Sequence, residues 1–181
     1  MVFLELEMKG KVPFHPDQLD SRGCLLPSKA ANLHLLAGLI GKKASKKHGY
    51  YVAATIHDST DEGEAGELNG EAIIFTVSFS CTAVKPRKGE ILIGFVDRVV
   101  KHGIFLKVEP IESIFLPEKM MEDYKFVMEE EGMFVNECLE SIMVKGTKVR
   151  FRVDAIRWIE WDREFHVMAT IRGDFLGPIS I

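Results

Sequence analysis

The stretch GEILIGFVDRVVKHGIFLKV, residues 89–108, decides how the second half of the chain folds. Its apolar residues favour two strands, although glycine, which weakens strands, stands at Gly94 and Gly103. In a small, sharply coiled barrel, a glycine within a long first strand lets that strand bend and serve two parts of the sheet. At the turn into the second strand, a residue able to adopt positive φ permits a tight reversal. The stretch therefore predicts the first two strands of a small β-barrel.

Short apolar–polar alternation continues to the end of the chain and indicates three further strands. Together the five strands favour closure into a barrel. A segment at about 118–142 breaks this rhythm and is predicted to be an inserted, partly irregular excursion, with the Glu129–Glu131 run as a solvated loop. The five strands are predicted at 90–100, 103–109, 113–116, 147–158 and 165–171.

The first half of the chain has a different pattern. VFLELEM, at residues 2–8, alternates like a half-buried edge or surface strand. Residues 27–49 carry an apolar stripe at helical spacing and predict one helix capped by Gly49. Strands are predicted at 49–58 and 71–84, joined by the polar, glycine-rich loop 59–70. The order β-α-β-β indicates an α+β domain.

A domain boundary is predicted at VKPRKGE, residues 84–90, where a proline and a basic cluster interrupt the apolar pattern. The expected domains are 1–84 and 85–181. A second cluster, Lys42, Lys43, Lys46 and Lys47, ends the predicted helix. It is either a solvated helix end favoured by the helix dipole or a docking surface for an acidic partner.

Composition excludes several classes of protein. With 181 residues, 46% of them apolar, and a net charge of -4, the chain is not a strongly basic nucleic-acid binder. Its three cysteines are odd in number and far apart, which supports neither a disulfide framework nor a zinc site. No signal peptide or membrane-spanning run is recognised, so the sequence predicts the cytosol or nucleus and no membrane association.

Catalytic motifs are missing from the sequence. It has no G-x-S-x-G elbow, no phosphate-binding P-loop and no H-E-x-x-H helix, and its six histidines are scattered. The acidic residues of the 59–70 loop lack the spacing of a calcium site. We therefore expect no catalytic residue, no metal site and no cofactor.

The order G-x-I-x-x-G-x-V-x-x-V-x-x-H-G-I-F-L-x-V in residues 89–108 resembles the opening of an S1-type OB-fold RNA-binding domain. Gly146, Val149, Phe151, Val153 and Ile156 resemble its fourth strand. GYYVAATI, the VKPRKGE junction and the closing DFLGPIS extend the similarity over nearly the whole chain. Together they resemble the seventh subunit of RNA polymerase II and its counterpart in the archaeal polymerase stalk. M-M-E-D-Y-K-F and G-D-F-L-G-P look closer to the plant versions in RNA polymerases IV and V.

This resemblance implies a fold and a role. The N-terminal domain would be a truncated RNP-like tip that docks on the polymerase core, at the largest and sixth subunits. The chain would pair with a fourth-subunit homologue to form a stalk, whose barrel reaches nascent single-stranded RNA. Such a subunit would be non-catalytic and nuclear. In polymerases IV and V it would serve small-RNA production and RNA-directed DNA methylation.

The resemblance also nominates site residues. The candidate RNA-binding residues are the aromatic and cationic side chains on one expected face: Lys101, His102, Phe105, Phe115, Arg150, Arg152 and Arg157. Stacking on aromatic rings with cations near the phosphates is how single-stranded RNA is held. The alternative for Phe105 and Phe115 is burial in the barrel core.

The core-docking candidates are Gly63, Gly66 and Glu67, which only approximate the I-G-x-G form usual at the tip. Arg87 stands where a phenylalanine is usual, and Met121 and Gly132 stand where prolines are expected.

Two other functions stay open at the level of sequence. One is a free-standing S1 RNA-binding protein, such as an exosome or translation accessory factor, and a more distant one is a nuclease or other enzyme with an appended S1 domain. A polymerase subunit is distinguished by an apolar surface for an obligate partner, predicted here where the two domains join.

Overall fold

The computed structural model describes residues 1–14, 21, 37–38, 44–56, 67–69, 72–128 and 132–179. The chain forms two compact units, Phe3–Val84 and Met1–Val2 with Lys85–Ile181. Most of the described chain is β-strand, and no helix in it has the length and apolar character needed to cross a bilayer. In chain order the strands are β1 Val2–Phe14, β2 Tyr50–Ile56, β3 Glu67–Asn69, β4 Ala72–Lys85, β5 Ile91–Val100, β6 Gly103–Val108, β7 Ile111–Pro117, β8 Lys125–Met128, β9 Gly132–Asn136, β10 Ser141–Met143, β11 Lys148–Ile159, β12 Glu164–Thr170 and β13 Gly177–Pro178.

The N-terminal unit is built on a sheet with the order β1-β4-β2, in which β3 also pairs with β4. The central strand β4 buries Phe79, Cys81 and Ala83, which lie at alternate positions and so point to one face. Strand β1 is at the sheet's edge and alternates half-buried and exposed residues from Val2 to Gly10, as the sequence predicts.

The predicted helix 27–49 and the predicted loop 59–70 of this unit both differ from the structure where their residues are described. Of the predicted helix 27–49, only 37–38 and 44–49 are described; 37–38 are helical, but 44–49 form a turn. In this turn Ser45 and Gly49 exchange two backbone hydrogen bonds of 2.7 Å, and Gly49 has φ +94°. Residues 59–66 and 70 of the predicted loop lie outside the described chain, while Glu67–Asn69 are a strand because they pair with Ala72–Ile74.

The second unit contains a closed five-stranded barrel. Its strands follow the order β12-β7-β6-β5-β11, and pairing of β11 with β12 closes the ring. The β7–β12 pair is parallel and the other four pairs are antiparallel. All five observed strands begin and end within two residues of the predicted positions. The core residues that are fully buried are Ile104, Leu106, Ile111, Ile114, Leu116, Val149, Phe151 and Ala169.

The two glycines of the 89–108 stretch have separate structural roles. The first half of β5 pairs with β11 through Gly94 and Val149, whereas its second half pairs with β6. A Cβ at Gly94 would lie 2.8 Å from the Lys107 carbonyl oxygen, so only glycine lets the backbones approach this closely. A Cβ at Gly103 would collide with the Leu116 carbonyl oxygen. Both glycines are therefore required by close approach between neighbouring strands.

The segment at 118–142 is more regular than predicted. After a 3-10 turn at Glu118–Met120, strands β8, β9 and β10 form an antiparallel three-stranded sheet. Phe134 is completely buried, and its ring centroid lies 5.6 Å from that of Phe126. The strands have only three to five residues, too few for a period of two to be recognised in the sequence. Residues 129–131 lie outside the described chain.

Candidate nucleic-acid interface

A row of three side chains crosses the outer face of the barrel. Arg98 on β5 pairs with Phe105 on β6, and Phe105 pairs with Phe115 on β7. The two ring centroids are 5.0 Å apart with a 45° interplanar angle, and the Arg98 guanidinium carbon lies 4.5 Å from the centroid of Phe105. This distance suits a cation–π interaction. We call Arg98, Phe105 and Phe115 the aromatic row.

The row faces outward because of strand alternation. Ile104, Leu106, Ile114 and Leu116 point inward and are fully buried, so the residues between them point away from the core. Phe105 and Phe115 are accordingly half-buried. The alternative that these rings fill the barrel core is therefore wrong.

The outer face continues past the row onto β12 and β11. Phe115 pairs with the exposed Met168, which in turn pairs with Ala155 on β11. Arg157, a predicted site residue, is exposed two positions further along β11 and pairs with His166. The structure therefore brings Arg157 to the same face as the two phenylalanines.

The other cationic candidates are distributed unevenly. Lys101 and His102 are exposed in the turn between β5 and β6, directly before the strand that carries Phe105. Arg150 and Arg152 lie elsewhere, since they pair with Ile93 and Ile91 near the start of β5. Ile93 and Ile91 precede Arg98 by five and seven residues, which is roughly 15–25 Å along the strand.

Arg150 and Arg152 also have partners of their own. The Arg152 guanidinium donates a 2.7 Å hydrogen bond to the Arg172 carbonyl, and the Arg150 guanidinium donates one of 3.4 Å to the Phe175 carbonyl. The expectation that these two arginines share one cationic face with the aromatic pair therefore needs correction. Their local role is to tie the 172–175 segment to β11.

Sequence reasoning missed Arg98. The residue types that form such a pair are visible in the sequence, because a cation on one strand can face an aromatic residue on the next. The pairing could not be predicted because a β-bulge intervenes: Val96 pairs with Leu106 and Arg98 with Phe105, which leaves Asp97 unpaired.

An exposed apolar row also escaped the sequence analysis. Ile91, Ile93 and Phe95 are 56%, 44% and 55% exposed, while Leu92 and Val96 on the opposite side of β5 are buried. Apolar residues on both sides of a strand are unusual for a barrel in contact with water, and exposed apolar patches commonly mark interaction sites. We call Ile91, Ile93 and Phe95 the apolar row.

Of the three predicted core-docking residues, Glu67 belongs to the described chain. Gly63 and Gly66 lie outside the described residues. Glu67 is the first residue of β3, where it pairs with Ile74 of β4.

One group of side chains among the described residues could reach a common cation. The ligand atoms of Asp162, Glu164 and His166 lie within 4.8 Å of one another. The Glu164 carboxylate, however, already accepts a hydrogen bond of 3.0 Å from the Ser113 hydroxyl and contacts His166 Nε2 at 2.8 Å. These contacts account for the positions of Glu164 and His166.

Two groups of the described chain have altered acidity. The Glu112 carboxylate, 3.1 Å from the Lys107 ammonium, raises the pKa of that lysine on the outer face of β6. Burial raises the pKa of the Cys81 thiol in the N-terminal unit. Neither shift lies in the aromatic row, and neither creates an acid–base pair of the kind catalysis uses.

The fold and this outer face define a class: a two-unit, β-rich protein whose closed barrel presents stacked aromatic rings and an apolar row to solvent. Residues 90–174 match the family model described as RNA polymerase III subunit Rpc25. The chain is 40% identical to DNA-directed RNA polymerase V subunit 7 of Arabidopsis thaliana over 179 residues, which are 99% of each chain.

Two further relatives extend the comparison. DNA-directed RNA polymerase IV subunit 7 of Arabidopsis thaliana is 35% identical over 98% of this chain and 99% of its own. DNA-directed RNA polymerase II subunit RPB7 of Glycine max is 27% identical over 75% of this chain and 76% of its own. The chain therefore belongs to the subunit 7 family of DNA-directed RNA polymerases, and the resemblance inferred from the sequence is confirmed.

Proposed function

We propose that this chain is a non-catalytic stalk subunit of nuclear RNA polymerase IV or V, acting in small-RNA production and RNA-directed DNA methylation. The observation that carries the proposal is 40% identity to a polymerase V subunit 7 across 99% of both chains. A match confined to the barrel would suit a free-standing RNA-binding protein equally well. Similarity across both units favours a subunit that uses both.

The topology supports an S1-type OB-fold for the second unit. A five-stranded barrel in which the first strand pairs with the second and fourth, and the third pairs in parallel with the fifth, is the arrangement expected of that fold. The N-terminal unit would then be the truncated RNP-like tip that docks on the polymerase core, with Gly63, Gly66 and Glu67 as its candidate docking residues.

The aromatic row supports contact with single-stranded RNA. Two outward rings 5.0 Å apart offer faces on which bases can stack, and Arg98 supplies a positive charge beside them. Lys101, His102 and Arg157 are exposed around the row and can meet phosphates. Arg150 and Arg152 are left out of this interface because they bind the 172–175 backbone.

The apolar row supports an obligate protein partner, which we propose to be the fourth-subunit homologue. Isoleucine and phenylalanine exposed side by side on one strand lose water favourably when another surface covers them, at about 25 cal/mol per Å² of apolar area. Cationic residues of β11 lie beside this row, since Phe95 pairs with Lys148. A partner with apolar side chains and acidic neighbours would match it.

Co-purification of the tagged chain from nuclei tests the stalk assignment. Large polymerase subunits and a fourth-subunit homologue should be recovered together. Ile93→Asp combined with Phe95→Asp should lose the fourth-subunit homologue, whereas Trp161→Asp, at an even more exposed site outside the apolar row, should retain it. Recovery of exosome or ribosomal proteins instead of polymerase subunits would favour a free-standing RNA-binding protein.

RNA contact is tested separately by Phe105→Ala. Loss of one stacked base should weaken binding of an oligonucleotide by about 1–3 kcal/mol. Because Phe105 is on the outer face, the melting temperature should change little. Unchanged affinity in a folded variant would exclude base stacking on this ring.

A further inference from the structure

A cleft opens next to the aromatic row, between the barrel and the inserted sheet. It has a volume of about 430 Å³ and is lined by Asp97, Arg98 and Val99 of β5, by Gly132 of β9 and by Lys145 of the turn before β11. Arg98 belongs to both features, because its guanidinium lies 4.5 Å from the Phe105 ring centroid. The aromatic row therefore ends at this cleft.

The β-bulge determines which side chains face the cleft. In a regular strand Asp97 and Arg98 would point to opposite sides of the sheet. Because Asp97 is the unpaired residue of the bulge, both charged side chains are exposed while Val96 remains buried. The bulge thus places a carboxylate and a guanidinium at one surface.

The opposite wall is held in place by packing and hydrogen bonds. A Cβ at Gly132 would lie 2.9 Å from Phe126 on the neighbouring strand β8, so glycine is needed for packing within the inserted sheet; the same position lies 3.7 Å from Val99, which places β9 against β5. The turn that carries Lys145 is tied to β5 by two backbone bonds, Gly146 N to Val96 O (2.8 Å) and Val96 N to Thr147 O (2.9 Å). The backbone at Lys145 is consequently fixed relative to Arg98.

We propose that this cleft binds the nucleotide adjacent to those stacked on the aromatic row, with Lys145 and Arg98 on either side of its phosphate. The inference rests on the proposed binding of single-stranded RNA. The volume of the cleft is within the range of roughly 300–1,000 Å³ typical of small-ligand sites and accommodates one nucleotide. A cationic groove continuous with an aromatic platform is the arrangement that tracks a single strand.

Asp97 weakens this phosphate site. Its carboxylate faces the same cleft as the two cations and opposes the approach of an anion. The charge pattern therefore makes two opposite predictions for neighbouring residues: removing the lysine charge weakens RNA binding, and removing the aspartate charge strengthens it.

The test is fluorescence anisotropy of a labelled oligouridylate with the full-length chain over a series of KCl concentrations. Lys145→Gln should weaken binding about two- to fivefold, the range of an exposed ion pair. It should also reduce the slope of log K against log[KCl] by about 0.7, the value for one phosphate contact on a single strand. Lys145→Arg should restore both, and Asp97→Asn should tighten binding at low salt.

Lys88→Gln is the matched control, because Lys88 is exposed outside the cleft and should leave the slope unchanged. If Phe105→Ala weakens binding while Lys145→Gln matches the wild type in affinity and slope, the cleft proposal is overturned and RNA binding by the barrel stands. If the wild-type chain fails to bind the oligonucleotide at low salt, both are overturned.

Discussion

Replacement of Gly94 by alanine tests the close approach on which the barrel depends. The new Cβ would lie 2.6 Å from Val108 Cγ2 and 2.8 Å from the Lys107 carbonyl oxygen. Carbon atoms normally pack at about 3.5–4.0 Å, so the Val108 contact is short by roughly 1 Å. Val108 can rotate, but the Lys107 backbone cannot withdraw freely because Lys107 pairs with Phe95 in the β5–β6 ladder.

The expected loss of stability is about 3 kcal/mol. Overpacking of a filled core costs about 1–3 kcal/mol, and the rigid carbonyl places this substitution near the upper limit. Weakening one ladder hydrogen bond adds about 1 kcal/mol. The lower conformational entropy of alanine in the unfolded chain offsets about 0.5–1 kcal/mol. For a unit of this size the melting temperature should fall by roughly 10–20 °C.

Tryptophan fluorescence during urea and thermal unfolding measures this loss. Both tryptophans, Trp158 and Trp161, are in the barrel unit. The ring centroids of Trp158 and Phe165 are 4.8 Å apart. Gly146→Ala is the control: apart from its chain neighbours, no atom of the described residues lies within 4 Å of its Cβ position, so its φ of +86° is what opposes alanine, at about 1–2 kcal/mol.

A double-mutant cycle separates the two contacts at Gly94. If Val108 contributes to the clash, Gly94→Ala with Val108→Ala should be less destabilising than the sum of the single changes, by about 1 kcal/mol. Equal destabilisation by Gly94→Ala and Gly146→Ala would refute the argument, because a penalty shared with an unhindered glycine cannot come from close approach.

Three other predictions concern the described residues outside the RNA face. Phe134→Ala should destabilise the inserted sheet by about 3–5 kcal/mol, seen as faster amide exchange in β8–β10, because this ring is fully buried. Tyr124→Phe should cost about 1 kcal/mol in urea unfolding, since its hydroxyl donates a 3.1 Å hydrogen bond to Ser141 Oγ. Between pH 7 and 8 iodoacetamide should label the exposed Cys138 well before Cys81, whose raised pKa and burial keep it a thiol; equal labelling rates by peptide mass spectrometry would contradict this.

Local patterns were sufficient to predict the strands of the barrel. The period of two in the 89–108 and 147–171 stretches depends only on neighbouring residues, and the observed strands differ from the predicted ones by one or two residues. The turn at 44–49 was predicted as the end of the helix because its lysines suit the C-terminal end of a helix dipole and Gly49 is placed to cap it. There the two backbone hydrogen bonds between Ser45 and Gly49 close a turn instead.

The candidate site was less accessible to prediction. Phe105, Phe115 and Arg157 reached a common outer face as expected, but Arg150 and Arg152 did not. Arg150 and Arg152 lie near the other end of β11, opposite Ile93 and Ile91, and their guanidinium groups bond carbonyl groups 20 or more residues away in sequence, a partnership that no spacing within β11 encodes.

The amino-acid sequence alone determined the β-rich character of the second half and the family. These follow from residue types and short-range order, which can be recognised without knowing which distant residues meet in the folded chain. Closure of the barrel decided the remainder: which rings face outward, that Arg98 lies against Phe105, and that Lys145 shares a cleft with it. Each of these is a pairing between distant strands, and one bulged residue, Asp97, is enough to change which side chains meet.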